Sequence, residues 1–313
     1  MSDVSVNSHF IDLKDIPADL LRHILDTAKK WKQARRGLAK GQVDPAAPLS
    51  GHALAMIFEK SSTRTRISFQ MAMQQLGGTS IVMQGNNMQL GRGETVADTA
   101  KVMSRYVDAI MIRAKSHDAL VELATEGTVP VINALTNKSH PCQLMADLLT
   151  IEEHLGSLAG RKMAWYGDGN NVANSLIEAA VKFDFPLMLA CPDGYTPSKK
   201  VMKWAKDNSG DITLTTDPEA ASVGAEVVIT DTWVSMGDKN IDARMKDLEP
   251  YQVNAGIMSK AAKNAIFLHC LPAHRGEEVT ADIIDGPQSV IFDEAENRLH
   301  VQKAIIAWCL GKI

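Results

Sequence analysis

Ser62-Thr63-Arg64-Thr65-Arg66 packs three hydroxyls and two guanidinium groups into five consecutive residues. Those groups suit a multiply charged oxyanion, because arginine gives bidentate hydrogen bonds to phosphate. The run follows an apolar segment, Ala53 to Phe58, and opens a helical pattern, Ile67 to Leu76. A helix that starts where a strand ends offers outward-pointing N–H groups and a dipole that favours negative charge. These features point to a small phosphorylated ligand held at a strand end. Arg64 and Arg66 are two residues apart, which is roughly 200° of rotation on a helix. They cannot both face one ligand, so Arg64 is assigned to the anion and Arg66 to a structural ion pair. The plainer alternative is a well-capped helix with solvated arginines.

Five further segments carry side chains capable of chemistry. Met88 to Glu94 is glycine-rich and precedes a helical pattern, as a lid or a surface loop would. His140-Pro141-Cys142-Gln143 opens a helix, where proline is tolerated and both His and Gln can donate to a ligand carbonyl. Gly167-Asp168-Gly169-Asn170-Asn171 is close to a dinucleotide-binding turn, with Asp193 where a ribose-binding acid would lie. However, Ala173 or Asn174 stands where the third glycine belongs, and the Asn pair suits a small zwitterion equally well. Asp231 precedes Ser235-Met236-Gly237: a carboxylate can hold a cationic amine, and the turn can offer N–H groups to a carboxylate. His269-Cys270-Leu271-Pro272 places a thiol after a strand, as a nucleophile or as a buried group. The two His/Cys pairs raise a metal site, but the prolines and the lack of CxxC or HExxH argue against it, and no metal is expected.

The elements that must position these residues alternate along the chain. Candidate strands at 53–58, 80–83, 109–112 and 130–133 are separated by helical patterns at 63–76, 95–106 and 117–126, and a helix at 143–154 follows. A second series has strands at 162–166, 187–190, 212–215, 227–230, 266–269 and 290–292, with helices at 172–182, 197–208, 217–223 and 295–310. Alternation of this kind indicates parallel sheets with crossover helices. The expected fold class is α/β, with two doubly wound parallel-sheet domains joined by linking helices. The boundary is expected near 148/149, with the last helix, about 295–310, packing back on the first domain. The informative residues then lie just past strand carboxyl ends, where such sheets bind ligands.

The 313 residues suit two domains of ordinary size. Net charge is −4, without a basic tail or stripe, so nucleic acid is not an expected partner. No run of eighteen apolar residues suggests a membrane span, and Met1 to Phe10 does not read as a signal or transit peptide. Four scattered cysteines fit free thiols in a reducing cytoplasm.

Taken together, these segments resemble the aspartate/ornithine carbamoyltransferase family. Ser-Thr-Arg-Thr-Arg and His-Pro-Cys-Gln look like its shared carbamoyl-phosphate signature. Asp231 with Ser-Met-Gly, and His-Cys-Leu-Pro, are similar to its ornithine branch; His274-Arg275-Gly276-Glu277-Glu278 looks like the biosynthetic type. The resemblance covers about residues 8 to 310. It implies transfer of a carbamoyl group from carbamoyl phosphate to the δ-amine of L-ornithine, giving L-citrulline and phosphate in arginine biosynthesis, without a cofactor. A putrescine-type carbamoyltransferase is the alternative, and an NAD-dependent oxidoreductase a remote one. It implies that Ser62, Thr63, Arg64 and Thr65 bind the phosphate. Arg113, His140, Pro141, Cys142 and Gln143 would surround the carbamoyl group, completed by Arg298 and the Cys270-Leu271 backbone. Gln89 would reach in from a neighbouring subunit of a homotrimer or a multiple of it. Asn171, Asp231, Ser235 and Met236 would hold ornithine. Arg113, His140, Asp231 and Cys270 would be the catalytic set, although Cys142 receives no chemical role of its own.

Overall fold

A computed structural model describes residues 8–60, 62–84, 93–234 and 240–313. The chain divides into two compact units: 1–145 with 298–313, and 146–297.

The first unit begins with α1 (Ala18–Ala34), which follows Pro17 and buries Leu21, Ile24, Leu25 and Ala28 on one face. That spacing is the stripe of an amphipathic helix. Then come β1 (Ala53–Phe58), α2 (Thr63–Gln75), β2 (Thr79–Gln84), α3 (Val96–Met103), β3 (Ala109–Arg113), α4 (His117–Glu126), β4 (Val131–Leu135) and α5 (Pro141–Leu155). The four strands are parallel in the order β2-β1-β3-β4. Alternate residues of the sheet, Ala55, Ile57, Ile110 and Ile112, are buried with Ala100, Met103, Leu120 and Leu123 of the crossover helices. Burying such side chains is worth about 1.5–3 kcal/mol each and sets which sheet face the helices cover.

The second unit runs β5 (Met163–Tyr166), α6 (Asn171–Phe183), β6 (Leu187–Ala190), α7 (Lys199–Asp207), β7 (Ile212–Thr215), α8 (Pro218–Ser222) and β8 (Val227–Thr230). It continues with α9 (Ile241–Leu248), α10 (Ala255–Lys260), β9 (Ile266–His269), α11 (Ala281–Ile284) and α12 (Ile291–Cys309). Its parallel strands run β7-β6-β5-β8-β9. Ala164, Tyr166, Val228 and Phe267 form a core with Ile257, Ile283, Ile284 and Ile291. The chain passes between units within α5 and again within α12.

These are the two doubly wound parallel sheets with linking helices that the alternation predicts. One expected strand is corrected. Val290–Phe292 is not a strand: a single bridge joins Phe267 to Ser289, and Ile291 already opens α12. Asp293 and Glu294 occupy the first turn of that helix, where the dipole favours acids. An apolar trio at a helix start is indistinguishable from a short strand by pattern alone.

Candidate active site

In the first unit the sheet order reverses between β1 and β3, and ligands bind at such points past the strand carboxyl ends. Phe58 pairs with Arg113, so the run that follows β1 and the last residue of β3 lie at the same edge. Ser62 is the N-cap of α2, and its hydroxyl accepts the Thr65 N–H at 3.3 Å. Thr63 is exposed and Arg64 half-buried. The Thr65 side chain is buried, and its hydroxyl accepts from Arg298 at 2.8 Å. Arg298 also donates to the buried Gln143 carboxamide oxygen. Arg66, expected in an ion pair, is exposed and makes none among the described residues.

His140 is 3% exposed. Burial, followed by the positive charges of Arg298, Arg113 and Arg64, holds its imidazole well below the ordinary range. The ring is therefore neutral at physiological pH, with three guanidinium groups near enough to disfavour its charged form. Pro141 opens α5 directly behind it. Cys142 is buried, donates to the Asn133 carbonyl at 3.3 Å, and has its thiol pushed up to about 12 by burial. It is a packing thiol.

The turn that aims His140 is anchored by a residue the sequence reading missed. Asp12 is almost fully buried and accepts from Lys138 at 2.7 Å, from Lys14 and from Ser139. Burial pushes its carboxyl up, but these donors outweigh it and bring it to about 2. Asp12 lies 126 positions before Lys138, so no local pattern marks it.

In the second unit Tyr166 pairs with Thr230, and Thr230 with His269. The residues past these three strand ends are the 167–170 turn, Asp231 and Cys270. Gly167 has φ +104°, and a Cβ on Gly169 would stand 2.2 Å from the Pro197 nitrogen, so both glycines are required. Asn170 caps α6: its amide oxygen accepts from Val172 N–H at 2.8 Å and Ala173 N–H at 3.2 Å. Asn171 is the first residue of that helix.

Asp231 is held from two sides. Asn170 donates to one carboxylate oxygen at 2.8 Å; the Thr232 N–H at 2.8 Å and the Cys270 thiol at 3.2 Å donate to the other. Burial, then the charges of Asp231 and Glu294, hold the Cys270 thiol well above its ordinary value. A thiol so held is a hydrogen-bond donor, and the nucleophile alternative loses its thiolate.

Leu271 has φ +58°, the left-handed region, and its N–H donates to His269 Nδ1 at 2.9 Å. Nδ1 accepts, so the ring proton sits on Nε2 and goes to the buried Glu278 at 3.0 Å. Glu278 is lowered despite burial, through its bonds from His269 and the His274 N–H. Asp231, His269 and Cys270 do bring three metal-ligand atoms within 4.8 Å of one another. Those atoms are engaged in the hydrogen bonds just described. Arg244 donates to the Trp233 carbonyl and to Asp168, and its guanidinium lies 5.0 Å from the Tyr195 ring centre. Gln89, Ser235 and Met236 lie outside the described residues.

The dinucleotide alternative fails on this geometry. The Asn170 side chain already occupies the N–H groups of Val172 and Ala173, which a phosphate at that helix start would need.

Comparison with known proteins agrees in both units. The carbamoyl-P binding domain of aspartate/ornithine carbamoyltransferase matches residues 8–153, and its Asp/Orn binding domain matches 159–309. The ornithine carbamoyltransferase of Rhodopseudomonas palustris is similar at 59% identity over 305 residues, 97% of each chain. The solved ornithine carbamoyltransferase from Pyrococcus furiosus is similar with a TM-score of 0.92 and 47% identity, covering 98% of each chain. The anabolic ornithine carbamoyltransferase from Campylobacter jejuni is similar with a TM-score of 0.88 and 38% identity, covering 98% of this chain and 100% of that one. The chain belongs to the aspartate/ornithine carbamoyltransferase family.

Proposed function

We propose the following division of labour for an ornithine carbamoyltransferase, an enzyme that moves the carbamoyl group of carbamoyl phosphate to the δ-amine of L-ornithine in arginine biosynthesis. The observation that carries it is the buried Arg298, which donates to both Thr65 at the start of α2 and Gln143 on α5, with Arg113 and Arg64 also near enough to disfavour a charge on His140. Such a site matches a dianionic phosphate with a carbonyl attached. Ser62, Thr63, Arg64 and Thr65 bind the phosphate at the start of α2, where the helix dipole and N–H groups add to the guanidinium charge. Arg113, His140 and Gln143 donate to the carbamoyl oxygen, on which negative charge grows as the amine adds. Arg298 holds Thr65 and Gln143 in place.

On the acceptor side Asp231 faces the δ-amine, with the Cys270 thiol orienting both, and Asn171, Ser235 and Met236 take the amino-acid end. The amine has an ordinary pKa near that of lysine, about 10.4, so only a small fraction is neutral at pH 7. Asp231 and Cys270 select or orient that neutral form. The departing phosphate and Asp231 are both acceptors for its proton. A citrulline assay with carbamoyl phosphate and a panel of amines tests the function. Ornithine should react and putrescine should not; turnover of putrescine in preference to ornithine would overturn the acceptor assignment.

We further propose a homotrimer in the cytoplasm, with Gln89 completing a neighbour's donor site. β2 is a sheet edge, and Ile67, Ile81, Val102 and Tyr106 are among the large apolar side chains that the first unit leaves exposed. Among the described residues no helix is long and apolar enough to cross a membrane. Light scattering should give three times the 34.0 kDa chain mass, or a multiple of that. Mixed oligomers of Gln89→Ala and Arg64→Ala chains should recover activity; a monomeric mass or no recovery sinks the shared site.

A further inference from the structure

We propose that Asn170 is a positioning residue for the acceptor amine: it fixes the Asp231 carboxylate to the first turn of α6. This rests on the assignment of Asp231 to ornithine made above. The orientation of the Asn170 amide follows from its partners. Val172 N–H and Ala173 N–H are both donors, so the group facing them is the amide oxygen. The NH₂ group then has to face Asp231, and it lies 2.8 Å from one carboxylate oxygen.

One side chain therefore does two things. It caps the helix that carries Asn171, and it presents a donor to a carboxylate 61 residues later in the chain. The remaining Asp231 oxygen is taken by Thr232 N–H and the Cys270 thiol, so the carboxylate plane is set by donors on three loops. Asparagine is the residue that meets both demands. Aspartate caps equally well but would turn a second carboxylate toward Asp231, while serine caps and has no second arm. The second Asn of the Asn-Asn pair contacts the zwitterion, and the first aims the acid that receives the amine.

The two roles separate by experiment. Asn170→Asp, Asn170→Ser and Asn170→Ala are compared for thermal unfolding and for steady-state kinetics with each substrate. Capping alone predicts that Asp and Ser behave as wild type and only Ala is impaired. Positioning predicts that all three lose kcat/KM for ornithine by about tenfold or more, the scale of one hydrogen bond to a charged group. KM for carbamoyl phosphate should stay unchanged, and Asn170→Ser, which keeps the cap, should be more stable than Asn170→Ala. Wild-type ornithine kinetics in Asn170→Asp and Asn170→Ser overturn the proposal, and so do equal changes in both substrates. Asp231→Asn serves as the control. If it impairs ornithine use while Asn170→Asp is silent, the proposal alone fails; if Asp231→Asn is itself harmless, the proposal falls with the site assignment.

Discussion

His140→Gln tests whether the donor site is built around a neutral imidazole. In the folded chain His140 is buried beside Arg298, Arg113 and Arg64, and its pKa lies well below the 6.5 of an ordinary histidine. In the unfolded chain it protonates near that ordinary value. Below pH 6.5 the unfolded state therefore binds more protons, and stability rises with pH across that window. The contribution is complete above pH 6.5 and is withdrawn as the pH falls beneath it. One such proton amounts to about 1.4 kcal/mol between about pH 7.5 and pH 5.5. His140→Gln carries no titration, so its stability should fall by about that much less over the same range. His9 and His117 are also lowered, chiefly by burial, and tilt the wild-type curve the same way. The difference between wild type and variant is thus the quantity to read. Urea unfolding of ligand-free protein at four pH values, followed by two coincident probes, supplies it. Parallel curves would refute the reasoning, as would a labelled His140 imidazole that titrates at or above pH 6.5. Carbamoyl phosphate should flatten the wild-type curve, because its negative charge offsets the arginines that disfavour the imidazolium.

Arg64→Ala should raise KM for carbamoyl phosphate by about ten- to a hundredfold, the worth of one charge-assisted hydrogen bond of about 1.5–3 kcal/mol. Its unfolding should change little, since the Ser62 cap on Thr65 remains; unaltered donor kinetics would remove Arg64 from the site. Asp231→Asn should speed alkylation of Cys270 by iodoacetamide at mildly alkaline pH, because the Asp231 charge is one of the causes that hold that thiol up. An unchanged rate would mean that burial alone protects it. Asp12→Asn should cost about 2 kcal/mol of stability at neutral pH. The wild-type contribution is full above the ordinary carboxyl value of 3.8 and is lost as pH falls toward about 2, so the variant's urea midpoint should change less across that interval.

What the sequence made legible was local. The 62–66 run declares itself because strand, cap and helix are consecutive, and Ser62 does cap α2. The α/β alternation was equally readable, since period and turn residues act over a dozen positions. What escaped depends on partners far along the chain. Arg298 lies 233 residues from Thr65, and only family resemblance put it in the site. Asp12 bears no local mark at all. α1 was readable from its spacing but contains no chemistry to draw attention, and Val290–Phe292 was misread because three apolar residues fit two structures.

On the assignments proposed above, the two units use one architecture for opposite charges, and the difference lies in what occupies the helix start after the first strand of each sheet. After β1, Ser62 caps α2 through one bond of 3.3 Å to Thr65, and arginines stand beside the helix end. The dipole and cations act together, which selects an anion. After β5, the stronger cap of Asn170 takes two N–H groups of α6 and leaves its own NH₂ to Asp231. The positive helix end is then spent on stabilising a carboxylate within the protein, and that carboxylate selects a cation. A glycine turn between strand and helix is therefore not in itself a phosphate signal. Replacing Asn170 by glycine would free the Val172 and Ala173 N–H groups and remove the donor from one oxygen of Asp231. If the charge selection is set as argued, that variant should lose ornithine use and gain affinity for inorganic phosphate in the second unit. Phosphate titration that shows no second site in Asn170→Gly would show that Asp231 alone suffices to repel the anion.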